Sequence, residues 1–272
     1  MGMKILKKLD VDTQLDTRCE TTVSPITDVI VATQDSIRDG DYSGALSIID
    51  TANDIFSNED RVPLEGLKAD CYFALDDYES ALNCYTQILK VQPDAPYWAY
   101  VGFANVLERL GHNDKAVQQM LHALEKEFSL ALVQRVVRLS QFTTNPKDSY
   151  RTVADLAYES GAEEQAAEVA ELLINEGVSD EGGRLFESII TNNGENLVLI
   201  TRLVKALLGA GESKRATRRV EKWKMENTDD TRLDKLYDYC QESRILDSHN
   251  GIPCLLVAVS YTHLTLPTIL LV

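Results

Sequence analysis

LEGLKADCYFALDDYESALNCYTQILKVQP, Leu64 to Pro93, reads as two short helices folded back on one another across an Asp-rich turn. Ala69 and Tyr72 stand three apart on the first helix. Tyr78, Ala81 and Tyr85 follow at spacings of three and four on the second, and Pro93 closes it. A side chain as small as that of Ala81 is what two antiparallel helices need if they are to approach closely. The turn must close a helix in the left-handed conformation, which Gly adopts freely and Asp at some cost.

Working outward, the same arrangement recurs. RDGDYSGA, ALDDYESA, RLGHNDKA, ESGAEEQA and GAGESKRA each place an alanine five residues beyond a Gly or Asp turn. These anchors, Ala45, Ala81, Ala116, Ala166 and Ala216, are 36, 35, 50 and 50 residues apart. A period of that size marks a helical repeat array, in which a unit that cannot bury its own apolar face stacks on its neighbour.

The Leu64 to Pro93 unit resembles a tetratricopeptide repeat, with Ala69, Tyr72, Ala81, Tyr85 and Pro93 in the family's order. The preceding unit is similar through Gly40, Tyr42, Ala45 and Ala52, and the following one through Trp98, Tyr100, Ala104, Gly111, Ala116 and Ala123. Three such units cover residues 26–127. The resemblance implies an all-α, right-handed helical-repeat solenoid with a concave groove lined mainly by first helices. By that analogy Ile30, Gln34 and Ile37, then Gly66, Asp70 and Phe73, then Trp98, Val101, Asn105 and Arg109 approach the groove. Family members that hold chaperone C-termini clamp the terminal carboxylate with Lys and Asn. Ile30 and Gln34 stand at the matching first-unit positions here, so that clamp is not expected. A mixed apolar and weakly polar groove suits a peptide or helix. Packing against the neighbouring repeat is the alternative role for these side chains.

Residues 128–245 read as degenerate repeats of the same kind. A spacing of 50 leaves about sixteen residues beyond a standard unit, the length of one more helix and its turn. SLALVQRVVRLSQF and DEGGRLFESIITNN fill the two gaps. An inserted helix would reverse the alternation of inner and outer helices, leaving their stacking order open. Twelve or thirteen helices are expected in all.

Composition fits: 44% of the 272 residues are hydrophobic, and no alternating strand pattern of useful length precedes residue 250. Cys19, Cys71, Cys84, Cys240 and Cys254 form no CxxC pair, which predicts reduced thiols in a cytoplasmic protein. His112 and His122 lack the clustering of a metal site. There is no GxSxG, P-loop, GxGxxG or HExxH motif. The expectation is a non-enzyme without cofactor or metal, acting as a protein-interaction scaffold.

Charge is unevenly spread. The net charge is -16, yet residues 152–183 hold nine acidic residues and no Lys or Arg, while residues 201–224 hold eight basic residues against two acidic ones. Lys214, Arg215, Arg218, Arg219 and Lys222 form a candidate anion patch. The other reading is a solvated face whose cations offset the acidic helices. The acidic total argues against nucleic acid as a partner. Head-to-tail self-association of acidic and basic sections is a further reading.

Both ends differ from the body. Residues 1–25 are polar without helical periodicity and predict a flexible arm, lacking a secretory apolar region. Residues 246–272 form a non-repeat tail. Its apolar residues are broken by Pro253, Pro267 and SYTHLT, so no membrane span is expected. VSYTHLTLPT, Val259 to Thr268, resembles a translated sequencing-library adapter, so residues 259–272 are read as an artefact that has replaced the native C-terminus. The alternative function is then the partner-binding arm of a truncated enzyme such as a glycosyltransferase or sulfotransferase.

Overall fold

The computed structural model describes residues 25–52, 55–56, 61–193, 196–227 and 230–250. Of the expected arm, residues 1–25, only Pro25 is described and it opens the first helix; of the expected tail, residues 246–272, the first five continue the last helix, and the rest, with the adapter-like 259–272, Cys19 and Cys254, lie outside the described residues. Thirteen α-helices and no strand occur among the described residues. They are α1 (Pro25–Arg38), α2 (Tyr42–Ala52), α3 (Val62–Ala74), α4 (Tyr78–Val91), α5 (Tyr97–Arg109), α6 (Asn113–Lys126), α7 (Leu130–Ser140), α8 (Pro146–Glu159), α9 (Glu163–Asn175), α10 (Ser179–Asn193), α11 (Leu197–Gly209), α12 (Ser213–Glu226) and α13 (Thr231–Asn250).

The recurring turns share one cause. Gly40, Asp76, Gly111, Gly161, Gly177 and Gly211 all have positive φ, from 61° at Asp76 to 84° at Gly177. At most of them the following residue reaches back over the last helical turn. The N–H groups of Asp41, Asp77, His112, Val178 and Glu212 donate to the carbonyls of Ser36, Tyr72, Leu107, Leu173 and Leu207. This satisfies carbonyls that a helix end would leave orphaned, and it turns the chain sharply enough for a hairpin. Several of the following helices are then capped at once. The Asp41 carboxylate accepts the Gly44 N–H at 2.8 Å, and Asp77 accepts the Ser80 N–H at 3.1 Å. The five anchor alanines are all buried, none more than 3% exposed.

The described residues separate into two compact units, divided between Glu127 and Phe128. In the first, α1 pairs with α2, α3 with α4 and α5 with α6, while α3 also packs beside α1 and α5. The odd helices thus form one layer in mutual contact, and the even helices touch one another less. Ile49, Ala52 and Leu64 form a core where the end of α2 meets the start of α3, away from the Gly40 turn, with Ile26, Val29, Ile30, Phe56 and Leu67 packed against it.

In the second unit α9 packs more extensively with α10 than with α8, and α12 more with α13 than with α11. The tightest hairpins therefore lie one helix beyond the two anchor turns at Gly161 and Gly211. Gly182 supplies the physical reason for the first: a Cβ there would come within 2.6 Å of the Ala170 carbonyl oxygen and 3.1 Å of the Ile174 nitrogen. Only glycine lets α10 lie directly on the backbone of α9. The inserted helix α10 thus joins the packing as a full partner of α9, while α7 packs less extensively beside α8 and α9.

Candidate partner-binding face

Four of the ten expected groove residues meet in two pairs. Gly66 on α3 is covered by the Trp98 indole of α5, and a Cβ on Gly66 would approach that ring to 2.5 Å. Phe73, two turns further along α3, lies beneath the Arg109 guanidinium, 5.8 Å from ring centroid to carbon, and meets Tyr78 edge-on at 5.5 Å. Trp98, Val101, Asn105 and Phe73 are partly buried, and Gln34, Asp70 and Arg109 are exposed. Ile30 is partly buried against the Ile49 and Leu64 core, and Ile37 is likewise half-buried.

Asp70 has a partner that its sequence position does not reveal. Its Oδ1 accepts the Tyr85 hydroxyl of α4 at 2.7 Å, and Tyr85 is only 2% exposed. The Tyr85 ring passes between α3 and α5 because Gly102 leaves no Cβ in its way. Although Asp70 has exposed surface, the protein packed around it withdraws enough water to push its carboxyl above the usual range, outweighing the Tyr85 hydrogen bond that pulls the other way. Tyr85 is legible in the sequence only as a packing aromatic.

The basic residues of α12 are distributed differently. Arg215 pairs with Asp180 at 2.9 Å and Glu212 at 3.3 Å, Arg219 pairs with Glu187, and Lys222 stands 4.0 Å from Glu226. Lys214 and Arg218 are exposed and form no ion pair among the described residues. On α11, Arg202 grips both oxygens of Glu171, at 2.7 and 3.1 Å, and reaches Glu164 at 2.9 Å. The acidic α9 and α10 and the basic α11 and α12 are therefore joined by ion pairs within the second unit. A cleft of about 230 Å³ between α8, α10 and α12 has both signs of charge in its lining, including Lys147, Asp180, Glu181, Glu212 and Arg215.

Cys71, Cys84 and Cys240 are buried and free. Desolvation pushes their thiols up to about 11, about 12 and about 12 respectively, which keeps them protonated and unreactive. The described residues contain no cluster of three His, Cys, Asp or Glu side chains able to hold a metal ion. No helix among them is long and apolar enough to cross a membrane.

Helical hairpins closed by repeated left-handed turns and stacked through buried alanines define a helical-repeat protein. Residues 36–101 match the model of the tetratricopeptide repeat family. Solved structures similar to the chain include a tetratricopeptide repeat protein from Parabacteroides merdae, 17% identical over 81% of this chain and 87% of that one, with a TM-score of 0.43. Another is the C-terminal part of a repeat-containing protein from Cytophaga hutchinsonii, 14% identical over 81% of this chain and 96% of that one, with a TM-score of 0.36. No curated protein matches the chain.

Proposed function

We propose that the α1, α3 and α5 face binds a peptide or helix from a protein partner, and that the chain acts as a non-catalytic interaction scaffold. Such scaffolding is typical of the tetratricopeptide fold. The observation that carries this reading is the partly accessible aromatic and aliphatic surface of Phe73, Trp98 and Val101 on the neighbouring helices α3 and α5. Half-buried aromatics bracketed by polar side chains suit a ligand that inserts a few anchors and leaves its remaining surface wet. The test is capture from a cell extract with the full chain and with Phe73→Glu and Trp98→Glu, read by mass spectrometry. Proteins lost with both variants support the face as the binding site. A captured set that does not change would overturn it.

For α12 the ion pairs favour a solvated face whose cations offset neighbouring carboxylates. Two of the five patch residues, Arg215 and Arg219, are already committed to acidic partners on α10. Retention of RNA or DNA on filters at low salt, lost in Lys214→Glu/Arg218→Glu, would reverse this assignment.

A further inference from the structure

We infer that Asp70 receives a lysine or arginine side chain of the bound peptide, and that this contact sets the ligand's preference. The inference rests on the proposed peptide-binding face and names the chemistry of its ligand. Gly66, Asp70 and Phe73 fall at i, i+4 and i+7 on α3, so they share one helical face. Asp70 therefore lies between the Trp98 indole that covers Gly66 and the ring of Phe73. A carboxylate framed by aromatic surface is complementary to a cationic head on an apolar stem, through charge and through attraction to ring faces.

Three further observations point the same way. The buried Tyr85 hydroxyl fixes one carboxylate oxygen at 2.7 Å and leaves the other uncommitted. Asp70 is exposed and has no ion-pair partner among the described residues, unlike Asp50, Asp94, Asp180 and Asp234. Residues 25–127 carry 18 acidic and 7 basic side chains, so the field of the unit draws cations towards the face. Arg109 stacks over the Phe73 ring and closes that end of the face to a second cation. The preferred ligand carries one basic residue among apolar neighbours, and a polybasic run is disfavoured.

The experiment uses arrays of capped fifteen-residue peptides with a central Lys, Gln or Glu and randomised apolar flanks, probed with the full chain. Lys-centred peptides are expected to retain it at least fivefold better than Gln-centred ones. Asp70→Asn, which keeps an oxygen for the Tyr85 hydroxyl, should remove that preference while weaker retention on all arrays persists. Asp70→Lys should shift the preference to Glu-centred peptides. Circular dichroism confirms that the variants remain folded. Equal retention on the three arrays, unchanged in Asp70→Asn, overturns the assignment of Asp70 and leaves the peptide-binding face standing. Absence of retention on every array overturns both. Quenching or shift of Trp98 emission in a Trp223→Phe background, where Trp98 is the sole indole, shows that retained peptides occupy this face.

Discussion

Two aspartates seven residues apart respond to pH in opposite senses. Asp77 caps α4, and the Ser80 hydrogen bonds hold its carboxyl below the ordinary range. A depressed native pKa contributes stability that is present above the unfolded value near 4 and is lost as pH falls through the native value. Asp77→Asn keeps the cap but cannot titrate, so the wild type should lose more stability than this variant between pH 5 and 3 in urea titrations. Asp70 is raised by desolvation, so its ionised form costs stability at neutral pH and that cost is relieved as the carboxyl protonates. Relative to Asp70→Asn, the wild type should gain stability on acidification through the range just above the ordinary carboxylate value. Gly182 makes a steric prediction. Because its missing Cβ faces backbone, Gly182→Ala forces α9 and α10 apart, at about 1–3 kcal/mol in denaturant unfolding.

Helices pair here because their contact stripes are narrow and small, and the anchor alanines make that testable. Ala116 has no exposed surface at the α5 and α6 crossing, so Ala116→Leu should cost about 1–3 kcal/mol, again by urea titration. Between α9 and α11, the bidentate Arg202 and Glu171 pair is only partly shielded, with 20% and 32% of its side-chain surfaces exposed. A double-mutant cycle with Arg202→Met and Glu171→Met should give a coupling of about 1 kcal/mol at low salt, shrinking as salt is added. The helices were legible in the sequence because each unit repeats its own punctuation: turn, cap, alanine and aromatic spacing. SLALVQRVVRLSQF and DEGGRLFESIITNN declare α7 and α10 by apolar periodicity alone. Their partners were not legible, since periodicity says which face is apolar and not which neighbour covers it. Gly182 and Gly183 were a readable hint, two adjacent glycines inside a helical run with no turn to explain them. The candidate face was legible only through the resemblance of its units to known repeats. The Tyr85 to Asp70 hydrogen bond joins residues fifteen apart on different helices, and no spacing rule predicts it.

Across the whole molecule a net charge of -16 works against compactness. Ion pairs between α9, α10, α11 and α12 answer this locally, but the excess of carboxylates extends over the chain. Raising sodium chloride from about 10 to about 150 mM shortens the screening length from roughly 30 to 8 Å, and the melting temperature should rise as the repulsion is screened. A fall would mean that the ion pairs outweigh the net charge, and a thermal scan at the two concentrations decides it. Within each unit, helices touch others one or two steps along the chain. The loop closed by each such contact is short, so little chain entropy is lost before a contact forms, and the relative contact order is low. Rapid folding, started at any one hairpin and spread by adding the next, is the kinetic counterpart of that local packing.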